Sequence, residues 1–305
     1  MENFYKPIDD RVPDNQYRNL CRLAIEVGVR SETQQSKKKG ELERATYSIP
    51  YSVTSVYYIE NGFPMETCRK IGKAGINEGF AILVNGVRTN DELNKDWGVP
   101  FWNSTFADER KCLKRGLAQG DLGPASYAVL HDFPMPSGGT FNQVQAVIDQ
   151  IRELPHLKTH TMTTLYPPGI YRGQGKVQQV VTVPCHGTII NLLVLGGKLN
   201  YETVWRSSDL VAGEAHDRIA HAALWLAFCH VLGYSPGIMS ITYLNAHYYE
   251  NQREVIEEIV SRNPQPFPTV TLKDPPDTIW KFRKEHFDIA DYDPHLAIAG
   301  IPVSP

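Results

Sequence analysis

The sequence has no long hydrophobic run, no excess of one charge and no paired cysteine motif, and each absence excludes a class of protein. The longest apolar-rich stretch, residues 222–232, is interrupted by His230 and is too short to cross a bilayer. The N-terminus, MENFYKPIDDRVPDNQY, lacks a basic start followed by an apolar run, so it does not read as a signal peptide. A formal net charge of -3 argues against a general nucleic-acid binder, which needs a basic stripe. The five cysteines (21, 68, 112, 185, 229) form no CxxC pair. Neither a zinc site nor a disulfide framework is indicated, and reduced thiols in a cytoplasmic compartment are expected. His216, His221 and His230 lack the spacing of paired metal ligands on a helix, and GQGK (173–176) lacks the spacing of a Walker loop.

What is present is an ordinary globular composition, 42% hydrophobic and 21% charged. Apolar periodicity predicts a helix over residues 14–27, capped by Gly28, and another over 142–154 with Val144, Val147, Ile148 and Ile151 on one face. Residues 68–84 read as helical despite three glycines, 215–232 as a central apolar helix, and 250–261 as a further helix. β-branched and aromatic enrichment predicts strands over 46–59, 159–165, 177–183 and 240–243. Residues 188–195 and 199–206 read as a hairpin around Gly196-Gly197. NGFP (61–64) reads as a turn, 85–125 as turns and short elements, 31–43 as an exposed mobile loop, and 279–289 as a final element. Strands and helices mix without a βαβ repeat. The expectation is one α/β (α+β) domain over 1–305, a large mixed sheet with flanking helices.

Three clusters carry potential chemistry. Cys185, in VPCHG, sits at a bend between two predicted strands, where Pro184 and Gly187 present the thiol. A thiol beside a histidine and arginines can be a nucleophile, although a buried inert cysteine is the commoner case. Cys185 and His186 are a poor nucleophile and base pair, because adjacent strand residues point to opposite faces. RSSD (206–209) places a guanidinium beside two hydroxyls and a carboxylate, a set suited to phosphate or to a plain surface salt bridge. Asp217, Arg218 and His221 are polar intrusions in an apolar helix, and Asp217 also suits a helix start.

Together these segments resemble the thymidylate synthase family. VPCHG resembles its catalytic PCH, WRSSD its QRSCD phosphate motif, and NAHYYENQ (245–252) its DTHLYSNH sugar motif. QGDLGP (119–124), NGFPM (61–65), FRKEHFDIADYDPH (282–295) and the opening QYRNLCRLAIEVG match further family segments, in family order. The resemblance implies a homodimer that uses 5,10-methylenetetrahydrofolate, needs no metal, and acts on a pyrimidine nucleotide rather than a nucleic acid polymer or a membrane. It implies that Cys185 adds to C6 of the pyrimidine and that Arg206 and Ser207 hold the 5′-phosphate. Lys158 stands where an arginine reaches that phosphate from the partner subunit, though Thr159 replaces the family's second arginine. Arg44 stands for a mobile phosphate-binding arginine, without the family's Gly-Thr-rich surroundings. His247 and Tyr249 would bond the sugar 3′-OH, and Glu78 would organise water and protons, in a segment one residue longer than the family's. Trp102, Asp209 and Gly213 would line the folate side.

One departure bears on the base. Members that use uracil carry asparagine eight residues after the aspartate of RSxD, and here that position is Asp217. A carboxylate only accepts hydrogen bonds. It matches the N4 amino group and protonated N3 of cytosine, and it opposes O4 of uracil. The motifs therefore come nearest to the cytidylate hydroxymethylases of the family, with C5 methylation of a pyrimidine nucleotide, or nucleotide binding without turnover, as the competing readings.

Overall fold

The computed structural model describes residues 4–32, 45–102, 112–113, 115–123, 127–167 and 187–303. Among them, helix α1 (Gln16–Val27) buries Tyr17, Leu20, Cys21 and Ala24, as its periodicity requires. Gly28 caps it with an N–H to the Ala24 carbonyl; its backbone is extended rather than left-handed. The predicted strand over 46–59 breaks at Ile49-Pro50, because proline cannot donate to a ladder. The two halves, β2 (Ala45–Ser48) and β3 (Val53–Tyr58), join different sheets. The loop expected over 31–43 begins in β1 (Val29–Glu32), which pairs with β2; the rest of that segment, and the strand expected over 177–183, lie outside the described residues.

Residues 68–84 are helical only from α2 (Ala74–Glu78), which continues as a π-helical turn over Gly79–Val84. The short α3 (Asn90–Lys95), capped by the Thr89 hydroxyl, and the two-stranded β4 (Phe133–Pro134) and β5 (Thr140–Phe141) follow. Helix α4 (Gln143–Glu153) buries the four predicted apolar residues. Strands β6 (Thr161–Thr163), β7 (Gly187–Leu195) and β8 (Lys198–Trp205) lead to the two-residue β9 (Ser208–Asp209). Gly196 and Gly197 both take positive φ, 55° and 77°, the geometry of a tight hairpin turn that non-glycine residues resist. Helix α5 (Glu214–Leu232) is apolar nearly all round and mostly buried. Then come β10 (Ser235–Tyr243), β11 (Ala246–Tyr249) and α6 (Arg253–Ser261). The single element expected over 279–289 is two 3-10 turns and strand β13 (Phe287–Ala290), which pairs with β12 (Thr269–Leu272).

The architecture is mixed α/β. A five-stranded sheet ordered β3-β10-β8-β7-β6 and a four-stranded sheet ordered β1-β2-β11-β9 are joined by two strands that pass from one to the other. β8 runs through Arg206 and Ser207 into β9, and its parallel neighbour β10 runs through Leu244 and Asn245 into β11. Backbone hydrogen bonds tie the crossings together: Leu244 N–H donates to Trp205 O at 2.9 Å, and Ser208 N–H to Asn245 O at 2.9 Å. The carboxyl ends of parallel strands thus converge where two sheets part, a favoured place for a ligand. Helix α5 lies across the five-stranded sheet, held by Trp225 Nε1 donating to Leu199 O and by His221 against Tyr201 and Trp205.

Candidate active site

The strand crossing sets the first half of the site. Arg206 and Ser207 occupy it, and β9 pairs with β11 so that His247 stands opposite Asp209. Ser207 Oγ lies 3.5 Å from His247 Nδ1, and the His247 ring meets Tyr249 edge-on at 5.3 Å. Burial, the largest influence, and the Arg206 charge push the His247 pKa down against the pull of Asp209, so the imidazole is neutral. Asn245 Oδ1 lies 2.9 Å from Nδ1. With that carbonyl facing it, Nδ1 carries the hydrogen and Nε2 is left as an acceptor. Asn245 escaped the sequence reading, although its place two residues before His247 marks it as a local anchor.

Asp209 Oδ1 accepts from the N–H groups of Val211 and Ala212, at 2.9 and 3.0 Å, and Oδ2 accepts from Gln252 Nε2 at 2.9 Å. Its first task is therefore to shape the 210–213 turn. Gln252 Nε2 also donates to Pro302 O, and Gln252 Oε1 accepts from Tyr249 N–H. This glutamine links the RSSD turn, the end of β11 and the C-terminal segment, a role no sequence signal revealed.

The second half of the site is carried by α2 and α5. A Cβ on Gly75 would stand 2.6 Å from the His216 carbonyl oxygen, and one on Gly79 would stand 3.0 Å from Ala220 Cβ. These glycines, four apart on one helical face, let α2 approach α5 closely and bring Glu78 into electrostatic contact with Asp217. Trp102 is buried and donates its Nε1–H to Glu78 Oε1 at 2.6 Å. Glu78 is half-buried, yet densely walled by protein. Burial raises its pKa to about 7, against the opposing hydrogen bond from Trp102. A carboxyl poised there can hold or release a proton at neutral pH.

Asp217 is not the helix cap. Gly213 holds that position, and the Asp217 N–H bonds its carbonyl at 3.0 Å. The Asp217 carboxyl lies against Gly213, with Oδ2 3.4 Å from where a Cβ would stand. Among the described residues no hydrogen-bond donor reaches it. Its pKa is pushed well above the usual carboxylate range, first by burial and then by Glu78, Glu214 and Asp209. Next to it, the His216 ring packs 5.2 Å from Phe101, and burial together with Arg69 lowers its pKa to about 4. Phe101, next in sequence to Trp102, and the neutral His216 thus set aromatic surface beside the acidic cluster.

The fold thus gathers Glu78, Trp102, Asp209, Gly213 and Asp217 on one side and Arg206, Ser207, His247 and Tyr249 on the other, with Asp209 common to both. Cys185 and Arg44 lie outside the described residues. Gly187, two positions after Cys185, opens β7 paired with Trp205, the residue before Arg206. Lys158 is exposed and remote from its own Arg206. Thr161 is level with Glu202 through Asn191, which leaves about 15 Å to Arg206 at ordinary strand rise and spacing. Lys158 precedes Thr161 on the far side. Among the described residues no group of three or more His, Cys, Asp or Glu is placed to hold a metal, and no helix is long and apolar enough to cross a membrane.

The family model described as thymidylate synthase matches residues 15–303. That span contains both halves of the site, the strand crossing and the paired helices. The chain therefore belongs to the thymidylate synthase family, the enzymes of folate-dependent one-carbon transfer to a pyrimidine nucleotide.

Proposed function

We propose that this enzyme hydroxymethylates C5 of a cytidylate, dCMP or CMP, through a transient bond between Cys185 and C6. The observation that carries the reading is Asp217: a carboxyl in the first turn of α5, flanked by Glu78 and Asp209, and bonded to no described donor. Such a group is suited to the edge of a base that brings its own donors.

Three groups set the chemistry. Arg206 and Ser207 grip the phosphate, and the neutral His247 accepts from the 3′-OH at Nε2. Asp217, with its raised pKa, carries a proton that it shares with N3 while its other oxygen accepts from N4–H. Protonated N3 draws electrons away from C6 when the Cys185 sulfur attacks, and leaves C5 nucleophilic. 5,10-Methylenetetrahydrofolate would supply a one-carbon unit at the oxidation level of formaldehyde: C5 bonds to that carbon, and loss of the C5 proton with departure of the tetrahydrofolate nitrogen leaves an exocyclic methylene on the ring. Glu78 holds the water that adds to the new exocyclic carbon and takes up its proton. Expulsion of the Cys185 thiolate restores the aromatic ring. No hydride is consumed, so tetrahydrofolate is released.

The active unit in this reading is a homodimer. Two features support it. The outer face of the five-stranded sheet carries Val56, Tyr58, Ile189, Val204 and Ile238, with Tyr58 55% and Ile189 42% exposed. Lys158 cannot reach its own Arg206 site, which fits a phosphate contact made in the partner subunit.

The test incubates the protein with 5,10-methylenetetrahydrofolate and equal amounts of dCMP, CMP, dUMP and UMP. A cytidylate gaining the mass of CH2O, without the absorbance of dihydrofolate, is the expected result. A methylated product with dihydrofolate, or consumption of a uridylate, overturns it.

A further inference from the structure

On the core side of α5, next in sequence to Asp217, lies a charged cluster that the chemistry above does not use. Arg218 is fully buried. Its guanidinium donates to Glu66 Oε2 at 2.7 Å and stands 3.2 Å from Glu214 Oε1. The rings of Tyr17 and Tyr57 lie against it, at 5.2 and 5.6 Å. Glu66 is anchored by the N–H groups of Thr67 and Cys68, and Glu214 accepts from the Tyr243 hydroxyl at 2.8 Å. The cluster therefore fastens the first turn of α5 to the 66–68 segment, to α1, to β3 and to β10.

Ions this deep contribute little net stability, since their desolvation offsets their attraction, and apolar residues of similar volume serve as well or better. Arg218 Nε and Glu214 Oε2 are even left without well-aligned hydrogen bonds. A specific arrangement with little stabilising value, one residue from the base-reading carboxyl, points to a role in the site. We infer that Glu214, locked by Arg218 and Tyr243, is a positioning residue that fixes where Asp217 stands and which electrostatic field it feels.

Glu214 and Asp217 are three apart on one helix, so they share a face. Glu78 on α2 and Asp209 on β9 are close enough for their charges to act on Asp217 as well. All three neighbours are acidic. Each makes ionisation of Asp217 harder, and Glu214 is the one of the three that the base, the folate and the water do not touch. Arg218 is shared by Glu214 and Glu66, so the cluster keeps a net negative charge that Glu214 supplies, and in the protein interior solvent screens it little. The inference rests on the proposed base-reading role of Asp217 only for its effect on substrate choice; the effect on Asp217 itself is independent of it.

The test is the titration of Asp217 in nucleotide-free protein carrying 13C-carboxyl aspartate, with the resonance assigned by its loss in Asp217→Asn. Two variants are compared with the parent: Glu214→Gln, which keeps the volume, and Glu214→Leu, which is apolar; both leave the Arg218–Glu66 pair in place. The expected result is a fall of about one pH unit in the Asp217 midpoint, a tenfold loss of proton affinity. The pH profile of kcat/KM for cytidylate should move by the same amount, a change that a merely structural role would not produce. If Glu214→Gln fails to fold, Glu214→Leu supplies the reading. An unmoved midpoint in either folded variant overturns the inference. Failure of Asp217→Asn to alter base preference, beside a shifted Asp217 titration, would instead sink the base reading and leave the role of Glu214 standing.

Discussion

Replacing Asp217 by asparagine tests the base reading with almost no change of shape. In the parent, the carboxyl and cytosine share one proton across N3 and a second hydrogen bond from N4. An asparagine amide turns its NH2 toward one of these positions and must leave either N4–H or N3 mismatched. A buried group left unpaired costs about 1–3 kcal/mol, and the lost charge assistance adds about 1 kcal/mol. The same amide matches O4 and N3–H of uracil, which gains what cytosine loses. The ratio of kcat/KM for cytidylate over uridylate should therefore fall by about 4 kcal/mol, roughly a thousandfold. The assay is competition between dCMP and dUMP, and between CMP and UMP, with products resolved by mass. A ratio that changes less than about tenfold in a folded variant would refute the reasoning. The pH dependence supplies a sign. The raised pKa of Asp217 keeps a neutral carboxylic acid present above the usual carboxylate range, and a neutral acid can also pair with uracil. Any uridylate turnover by the parent should be strongest at low pH and vanish as pH rises through the Asp217 midpoint. In the asparagine variant that decline should be absent.

Other consequences are direct. Glu78→Gln removes a carboxyl whose folded pKa of about 7 exceeds its unfolded value of 4.5. The unfolded chain ionises from pH 4.5 while the folded one holds its proton, so the penalty grows between pH 4.5 and 7 and is constant above; the variant should gain up to about 3 kcal/mol at pH 8 and nothing below pH 4.5, read by thermal melts at both pH values, while turnover is lost. Trp102→Phe deletes the 2.6 Å bond that favours the ionised form of Glu78. The Glu78 limb of the pH–rate profile should move to higher pH. Asn245→Ala frees Nδ1 of His247, and KM for the nucleotide should rise about tenfold with a smaller change in kcat, the value of one hydrogen bond.

Sequence pattern reached the parts of the fold whose signal is local. Helices α1, α4 and α5, and the hairpin at Gly196-Gly197, follow from apolar periodicity and turn chemistry. The 46–59 segment misled because β-branched enrichment continues through Pro50 while the ladder cannot. The 68–84 segment reads as helical throughout, but the helix starts only at Ala74; within it Gly75 and Gly79 are placed for close approach to α5. Asp217 was legible from its fixed distance to Asp209. The resemblance names Glu78 and Asp209, but their convergence on Asp217 was not legible, since Glu78 lies 139 positions away and no periodicity links them, and Glu214 escaped the sequence reading altogether. Arg218 stood out as a charge in an apolar helix, but its partner Glu66 is 152 residues distant. Gln252 closes the NAHYYENQ motif, but its bonds were not legible, because they join segments that only the folded chain brings together.

The most direct test of the central claim traps the covalent step. The protein is offered equimolar 5-fluorodeoxycytidylate and 5-fluorodeoxyuridylate with 5,10-methylenetetrahydrofolate; fluorine at C5 cannot leave as a proton, so the adduct persists. Intact mass and peptide mapping then identify the base and the attached residue. The account predicts the cytosine analogue bound through Cys185 together with the one-carbon donor. The uracil analogue in its place, or attachment at any other residue, contradicts it.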